Sequence, residues 1–199
     1  MYRLTRGSGL VLASASPRRR EMLTHLGLNF RLAPAHIDEN LLPGESAAQA
    51  AQRLASAKAA AVRVAPNDTV LAADTLVVLG EEIMGKPKDA QEAAQMLRKL
   101  SGAQHEVLTG YCLLNDSWQK VGLGRSLVTF RKLSDAEIAA YVATGEAMDK
   151  AGAYAVQGLG GALVKEVSGS YTNVVGLPLA AVIEMLLEQG LIEPQGEGA

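Results

Sequence analysis

The chain has 199 residues, 48% hydrophobic, 20% charged and only 4% aromatic, a globular composition whose interior must be built from aliphatic side chains and alanine. That length suits one domain, or two small lobes sharing a core, and the net charge of −2 argues against a general nucleic-acid binder. Apolar runs such as Leu76–Leu79 are too short to cross a bilayer, the N-terminus lacks the apolar stretch of a secretory signal, and the lone Cys112 rules out a disulfide framework, so a soluble cytoplasmic protein is expected.

In chain order, Gly9–Ala13 reads as a short buried strand. Ser16 as N-cap and Pro17 at the first helical position predict a helix that buries Met22, Leu23 and Leu26 and stops at Gly27. A second strand is expected over Phe30–Ala33, followed by a polar loop around His36-Ile-Asp-Glu39. The capping box Ser46-Ala-Ala-Gln49 opens an Ala-rich helix to about Val64. Thr69–Ala73 and Leu76–Leu79 read as strands on either side of Asp74-Thr75, with Gly80-Glu81 as a hairpin turn. Asp89-Ala-Gln-Glu92 and Ser134-Asp-Ala-Glu137 are two further capping boxes, and strands are predicted near 105–114 and 125–131. A Gly-rich tract, Gly152–Gly161, precedes a strand at 162–167; Pro178 opens a last amphipathic helix ending at Gly190, and the tail from Glu193 is expected to fray. Interleaved helices and strands predict an α/β fold with a mixed central sheet and flanking helices. No repeat or linker divides it, so residues 1–199 are taken as a single domain with a core of about 10–187.

Residues 1–31 hold six arginines against Glu21 alone, so an acidic protein carries a local basic cluster, which suits a compact anionic ligand. Ser14-Ala-Ser-Pro-Arg-Arg19 places Arg18 and Arg19 in the first turn of a helix, where cations are unfavourable unless an anion joins them; a solvated basic face is the alternative. Asp74 ends a predicted apolar strand, where a carboxylate can bind metal, activate water or merely begin a turn. Lys58 and Lys86 are point charges suited to phosphate, although surface lysines are common and mostly inert. Glu39 with Asp38 could support a metal or simply form a polar loop. Glycines in 154–161 and 168–176 resemble nucleotide loops but match neither the dinucleotide nor the P-loop pattern. His25, His36 and His105 lack ligand-like spacing and read as structural or solvated.

Taken together, Ser14-Ala-Ser-Pro-Arg-Arg19, Ala73-Asp-Thr75, Gly85-Lys-Pro87, Asp149-Lys-Ala-Gly-Ala-Tyr154, Gln157-Gly158 and Asn173-Val-Val-Gly-Leu-Pro178 resemble, in order, the signatures of the Maf family of septum-formation-inhibitor-like nucleotide pyrophosphatases. The resemblance implies an elongated, two-lobed Maf/ITPase-like architecture with the active site in a cleft between lobes. It also implies dependence on a divalent metal, Mg or Mn, and cleavage of a nucleoside triphosphate to monophosphate and pyrophosphate. It assigns Asp74 as general base, Ser14, Arg18, Arg19, Lys58 and Lys86 to the phosphates, and Glu39 as a polar or metal-supporting residue. Arg18, Thr75 and Gln157 resemble the branch directed at dTTP and UTP; the branch directed at 7-methyl-GTP has Trp in place of Arg18 and Glu in place of Gln157. A nucleotide-binding regulator of division with vestigial catalysis is the alternative reading. No nucleic-acid or membrane partner is expected, and oligomeric state is left open, a homodimer among the options.

Overall fold

The computed structural model describes residues 1–63 and 65–196. In order the elements are β1 (Tyr2–Leu4), β2 (Gly9–Leu12), α1 (Pro17–His25), β3 (Arg31–Leu32), α2 (Ala47–Ala60), β4 (Asp68–Leu79), β5 (Glu82–Met84), α3 (Ala90–Leu100), β6 (Gln104–Leu114), β7 (Gln119–Phe130), α4 (Asp135–Ala143), β8 (Val164–Gly169), α5 (Tyr171–Val175), α6 (Leu179–Glu188) and β9 (Ile192–Pro194). Short 3-10 turns lie at Ala151–Ala153 and Leu159–Leu163. One mixed sheet runs β3-β2-β4-β6-β7-β8, with β5 paired to β4. β2 is parallel to β3 and β4, whereas β5 on β4 and β8 on β7 are antiparallel, so the expected mixed-sheet α/β class is the observed one. Among the described residues no helix is long and apolar enough to cross a membrane.

By its internal contacts the chain divides into two compact units. The first comprises Met1–Asp74, Thr109–Gly124 and the segment from Gly176 onward. Its helix α2 begins with both halves of the Ser46/Gln49 capping box and buries Ala50, Ala51, Leu54, Ala55 and Ala59. These residues are mostly small because the helix lies close to the sheet: a Cβ on Gly110 of β6 would come 2.2 Å from the Ala51 carbonyl oxygen. A larger residue at either position would push the helix outward and carry Lys58, in its last turn, away from the sheet. Beneath it lies a small-residue core of Ala13, Ala55, Ala59, Val70, Ala72 and Cys112.

The second unit comprises Thr75–Leu108 and Arg125–Val175. α3 and α4 pack on one another, and Leu97, Leu100, Val128, Phe130, Ile138 and Leu163 fill its interior. Three rings, His105, Phe130 and Tyr154, meet edge-to-face with centroids 4.8–5.4 Å apart.

Several local expectations change. Asp74-Thr75 does not break the chain into two strands; β4 is continuous over Asp68–Leu79, because the Asp74 carboxylate finds its partner in a side chain and has no need of a turn. β7 begins at Gln119, earlier than expected, since Gly122 and Gly124 obscure its alternation. Ser16 flanks α1 but makes no side-chain cap, and Leu26 is only half-buried. Asp89 does cap α3, accepting from Glu92 N, but Glu92 reaches back to Lys88 N, so the reciprocal half of the box is displaced by one residue. The strand after the Gly-rich tract runs Val164–Gly169, and α5 occupies part of the expected 168–176 loop. α2 stops at Ala60; its expected end at Val64 lies outside the described residues. Glu193 and Pro194, expected to fray, pair in β9 with Arg3 and Tyr2 of β1, a ladder between chain ends too short for any periodicity to reveal. Residues 197–199 of that expected tail lie outside the described residues.

Candidate active site

In the first unit, parallel pairing of β2 with β4 ends at Leu12 and Leu71. Asp74 lies three residues further along β4, beyond the carboxyl end of β2, where α/β sheets commonly bind ligands. Asp74 is 7% exposed. Its Oδ1 accepts from Lys58 Nζ at 2.5 Å, and the same ammonium lies 2.7 Å from Glu39 Oε1. Glu39 comes from the 36–45 loop, which Arg53 of α2 anchors: its Nε and Nη2 grip the two Glu45 carboxylate oxygens at 2.6 and 2.8 Å, and Nη2 also donates to the Asn40 carbonyl at 3.0 Å. The Arg53 hydrogen bonds hold the Glu45 carboxyl below its ordinary range. Asp38 is occupied locally, its Oδ1 accepting from Asn40 N at 2.9 Å.

After β2 the chain turns through Ser14 into α1. The buried Ser14 Oγ accepts from Ser16 N and from Arg19 Nη1, each at 3.2 Å, and Arg19 Nε donates to the Gly176 carbonyl at 2.7 Å. The N-caps of α2, α3 and α4 all accept from the backbone three residues on, whereas α1 has neither a side-chain cap nor an acidic residue in its first turn. Its N-terminal dipole therefore meets Arg18 and Arg19 without local compensation. Burial lowers the Arg19 guanidinium from its ordinary value to about 10, with Asp74 opposing, Arg18 adding to the fall and Glu39 opposing. It remains a cation at neutral pH, and one that a phosphate would relieve.

In the second unit, Lys86 follows β5, exposed and without an ion pair among the described residues. Thr75 continues β4 directly after Asp74. Gln157 is exposed in a tight turn closed by Gly158 N donating to the Ala155 carbonyl at 3.3 Å. The Leu159 and Gly160 amides beyond it donate to Glu146 Oε2 and Oε1 at 3.0 and 2.9 Å. The Gly-rich tract is therefore no open phosphate loop: an internal carboxylate takes up these donors. His105 is 2% exposed with Nε2 2.9 Å from the Tyr154 hydroxyl, the structural role expected of it, while His25 and His36 are exposed.

A family model described as Maf-like protein matches residues 9–189. The chain belongs to the Maf family. It is 55% identical over 189 residues, 93% of this chain and 96% of the other, to a dTTP/UTP pyrophosphatase of Anaeromyxobacter dehalogenans (strain 2CP-1 / ATCC BAA-258). It is 50% identical over 181 residues, 90% and 92% of the two chains, to a dTTP/UTP pyrophosphatase of Escherichia coli O157:H7. A solved HAM1 protein from Coxiella burnetii is similar in fold, with a TM-score of 0.51 and 17% identity over 91% of this chain and 99% of that one.

Of the residues the Maf resemblance singles out, Ser14, Arg19, Lys58, Asp74 and Glu39 are tied together in the first unit by contact or by mutual electrostatic influence, with Arg18 adjoining Arg19. Thr75, Lys86 and Gln157 belong to the second unit. Sequence reasoning gave no reason to single out Arg53, Glu45, Glu146 or Tyr141, which place these groups. Gly158 and Gly160 were the one available signal for Glu146 and Tyr141, since glycines so close together ask what neighbour needs the room.

Proposed function

We propose that the chain hydrolyses dTTP or UTP to the nucleoside monophosphate and pyrophosphate. The observation that carries this reading is the convergence of Asp74 and Glu39 on the Lys58 ammonium. An ammonium has three N–H donors; Lys58 gives one to Asp74 and pairs with Glu39, and it keeps donor capacity for a phosphate oxygen. Arg18 and Arg19 at the uncapped start of α1 grip further oxygens, Arg19 held in place by Ser14 Oγ and the Gly176 carbonyl. Asp74 takes a proton from the water that attacks the α-phosphorus, and the cations offset charge that builds on the phosphoryl oxygens. Lys86 is assigned to the phosphates, and Arg18, Thr75 and Gln157 to choice of base.

A divalent ion belongs to the same proposal. Asp74 and Glu39 are two neighbouring carboxylates, a donor set that fits an ion of the Mg²⁺ or Mn²⁺ type, which takes one or two carboxylates from protein and completes its shell with phosphate and water; such an ion would take the place of the Lys58 ammonium on these oxygens and release it toward phosphate. Among the described residues no group of three or more His, Cys, Asp or Glu is assembled. When bound, such an ion screens the triphosphate and eases departure of pyrophosphate. The test is product analysis with UTP, dTTP and Mg²⁺: monophosphate and pyrophosphate in equal amounts are expected. Stepwise orthophosphate with accumulating diphosphate would overturn the reading.

A further inference from the structure

An amide side chain offers one acceptor and two donors, so Gln157 can accept from N3–H of uracil or thymine and donate to a neighbouring carbonyl. Turned over, it suits cytosine nearly as well. Preference for uracil over cytosine therefore needs something that controls how Gln157 is presented.

The second unit holds such a device. Glu146 binds the backbone just after Gln157, through Leu159 N and Gly160 N, and its Oε1 also accepts from the Tyr141 hydroxyl at 2.9 Å. The same hydroxyl accepts from Ala155 N, just before Gln157, at 3.1 Å. One linked pair of side chains thus grips the turn on both sides of the residue at its tip. The glycines make room for it: a Cβ at 158 would come 2.1 Å from Glu146 Oε2, and one at 160 would come 2.7 Å from the Tyr141 oxygen. Burial raises the Tyr141 hydroxyl, which keeps its proton to donate. Burial also pushes Glu146 up, but the Gly160 and Leu159 amides and the Tyr141 hydroxyl outweigh it and leave the carboxyl below its ordinary value. The clamp stays assembled at neutral pH.

We propose that Glu146 and Tyr141 are positioning residues for base selection, holding the 155–160 turn so that Gln157 presents its amide from one direction to uracil or thymine. This rests on the reading of Gln157 as the residue that meets the base. The experiment compares wild-type, Glu146→Gln and Tyr141→Phe on UTP, dTTP and CTP, with melting temperatures alongside. Each variant should raise KM for UTP and dTTP about tenfold with kcat changed less than about twofold, the scale of a lost hydrogen bond to a charged group. The UTP-over-CTP ratio of kcat/KM should fall about fivefold, on the same scale. Adding Gln157→Ala to either variant should lower that ratio little further, because residues acting through one another are not additive. Tyr141→Phe keeps the buried ring and serves where Glu146→Gln weakens the fold. A UTP-over-CTP ratio unchanged in both variants, whatever their melting temperatures, would overturn the inference alone. Failure of the wild-type protein to release pyrophosphate would overturn the proposed function and the inference with it.

Discussion

At Lys58 in the first unit a charged side chain meets charged side chains; at Glu146 in the second a charged side chain meets backbone. Lys58 lies between Asp74 and Glu39, and each contact is a Coulomb pair that a phosphate or a metal ion can enter by exchange. Glu146 is held by two amides of its own unit and a buried hydroxyl, partners that an incoming ligand does not replace. Ion pairs are interchangeable and so suit chemistry in which charge moves. A carboxylate bound to backbone holds a shape, and so suits discrimination. The proposed roles follow that division, with phosphate chemistry in the first unit and base reading in the second.

The largest effect that would break the comparison is at Asp74. Asp74→Asn keeps the size of the side chain but removes both the proton acceptor and one half of the Lys58 pair. The expected loss in kcat is about 10²–10⁴-fold, the usual contribution of general acid–base catalysis, with melting temperature and circular dichroism little changed. A variant retaining more than about a tenth of wild-type kcat would remove Asp74 from both roles, as base and as metal ligand.

In the second unit the matching change is Gln157→Glu, which keeps the size and removes both amide donors, so that acceptors face a uracil carbonyl. A site built around a hydrogen bond discriminates more strongly than one that lacks only a methylene, which is worth about 10- to 200-fold, so kcat/KM for UTP and dTTP should fall by about 200-fold or more, and less for CTP, which offers a donor there. Steady-state kinetics on UTP, dTTP, CTP and GTP check it. An equal loss on all four would mean that Gln157 supports the turn and does not read the base.

What could be read in the sequence was what local chemistry decides. Pro17 marks the start of α1, and Ser46/Gln49 and Ser134/Glu137 cap α2 and α4, because a cap and its partner lie within one turn. Part of the first unit's candidate site was marked by local chemistry, since Arg18 and Arg19 stand in the first turn of α1, where cations are costly, and Asp74 follows an apolar run; Lys58, in the last turn of α2, stood out from other lysines only through the Maf resemblance. The continuity of β4 was not legible, because it depends on Lys58, sixteen residues away, reaching Asp74. Nor was the pairing of β1 with β9, whose partners lie at opposite ends of the chain. Glu146 was the hardest to see, since its partners are backbone amides that leave no mark on the pattern of side chains beyond the glycines that admit them.

The second unit should also be the more sensitive to acid. Burial lowers His105 from 6.5 to about 4, and its Nδ1 is buried without a hydrogen-bond partner among the described residues. The folded state thus binds a proton less readily than the unfolded chain. The contribution of neutral His105 is complete above the unfolded value of 6.5 and is lost as pH falls toward about 4. At about 1.4 kcal/mol per pH unit, the cost of reaching pH 5 is about 2 kcal/mol. Urea unfolding of wild-type and His105→Gln at pH 7 and pH 5 checks this: the wild-type protein should lose more stability than the variant by about that amount. An equal loss in the two proteins would show that His105 titrates alike in the folded and unfolded states.

The smallest effect belongs to Lys86, and it tests whether the phosphate chemistry is confined to the first unit. Lys86 is exposed and without an ion pair among the described residues. Lys120 is equally exposed, lies in β7 and has no place in the family motifs, so it serves as the control. An exposed lysine acts on phosphate as a screened point charge, worth about 1 kcal/mol or less, so Lys86→Ala should lower kcat/KM for UTP about three- to fivefold. The loss should shrink as salt is raised from about 50 to 300 mM, across which the screening length contracts to a few ångströms. Lys120→Ala should leave kcat/KM within about 1.5-fold at either salt concentration, the behaviour of a surface charge that takes no part in holding phosphate. Equal behaviour of the two variants would confine the phosphate-binding cations to Arg18, Arg19 and Lys58. A loss at Lys86 as large as that at Asp74, and insensitive to salt, would mean instead that Lys86 is buried against the triphosphate when the nucleotide binds, and the division of labour between the two units would have to be redrawn.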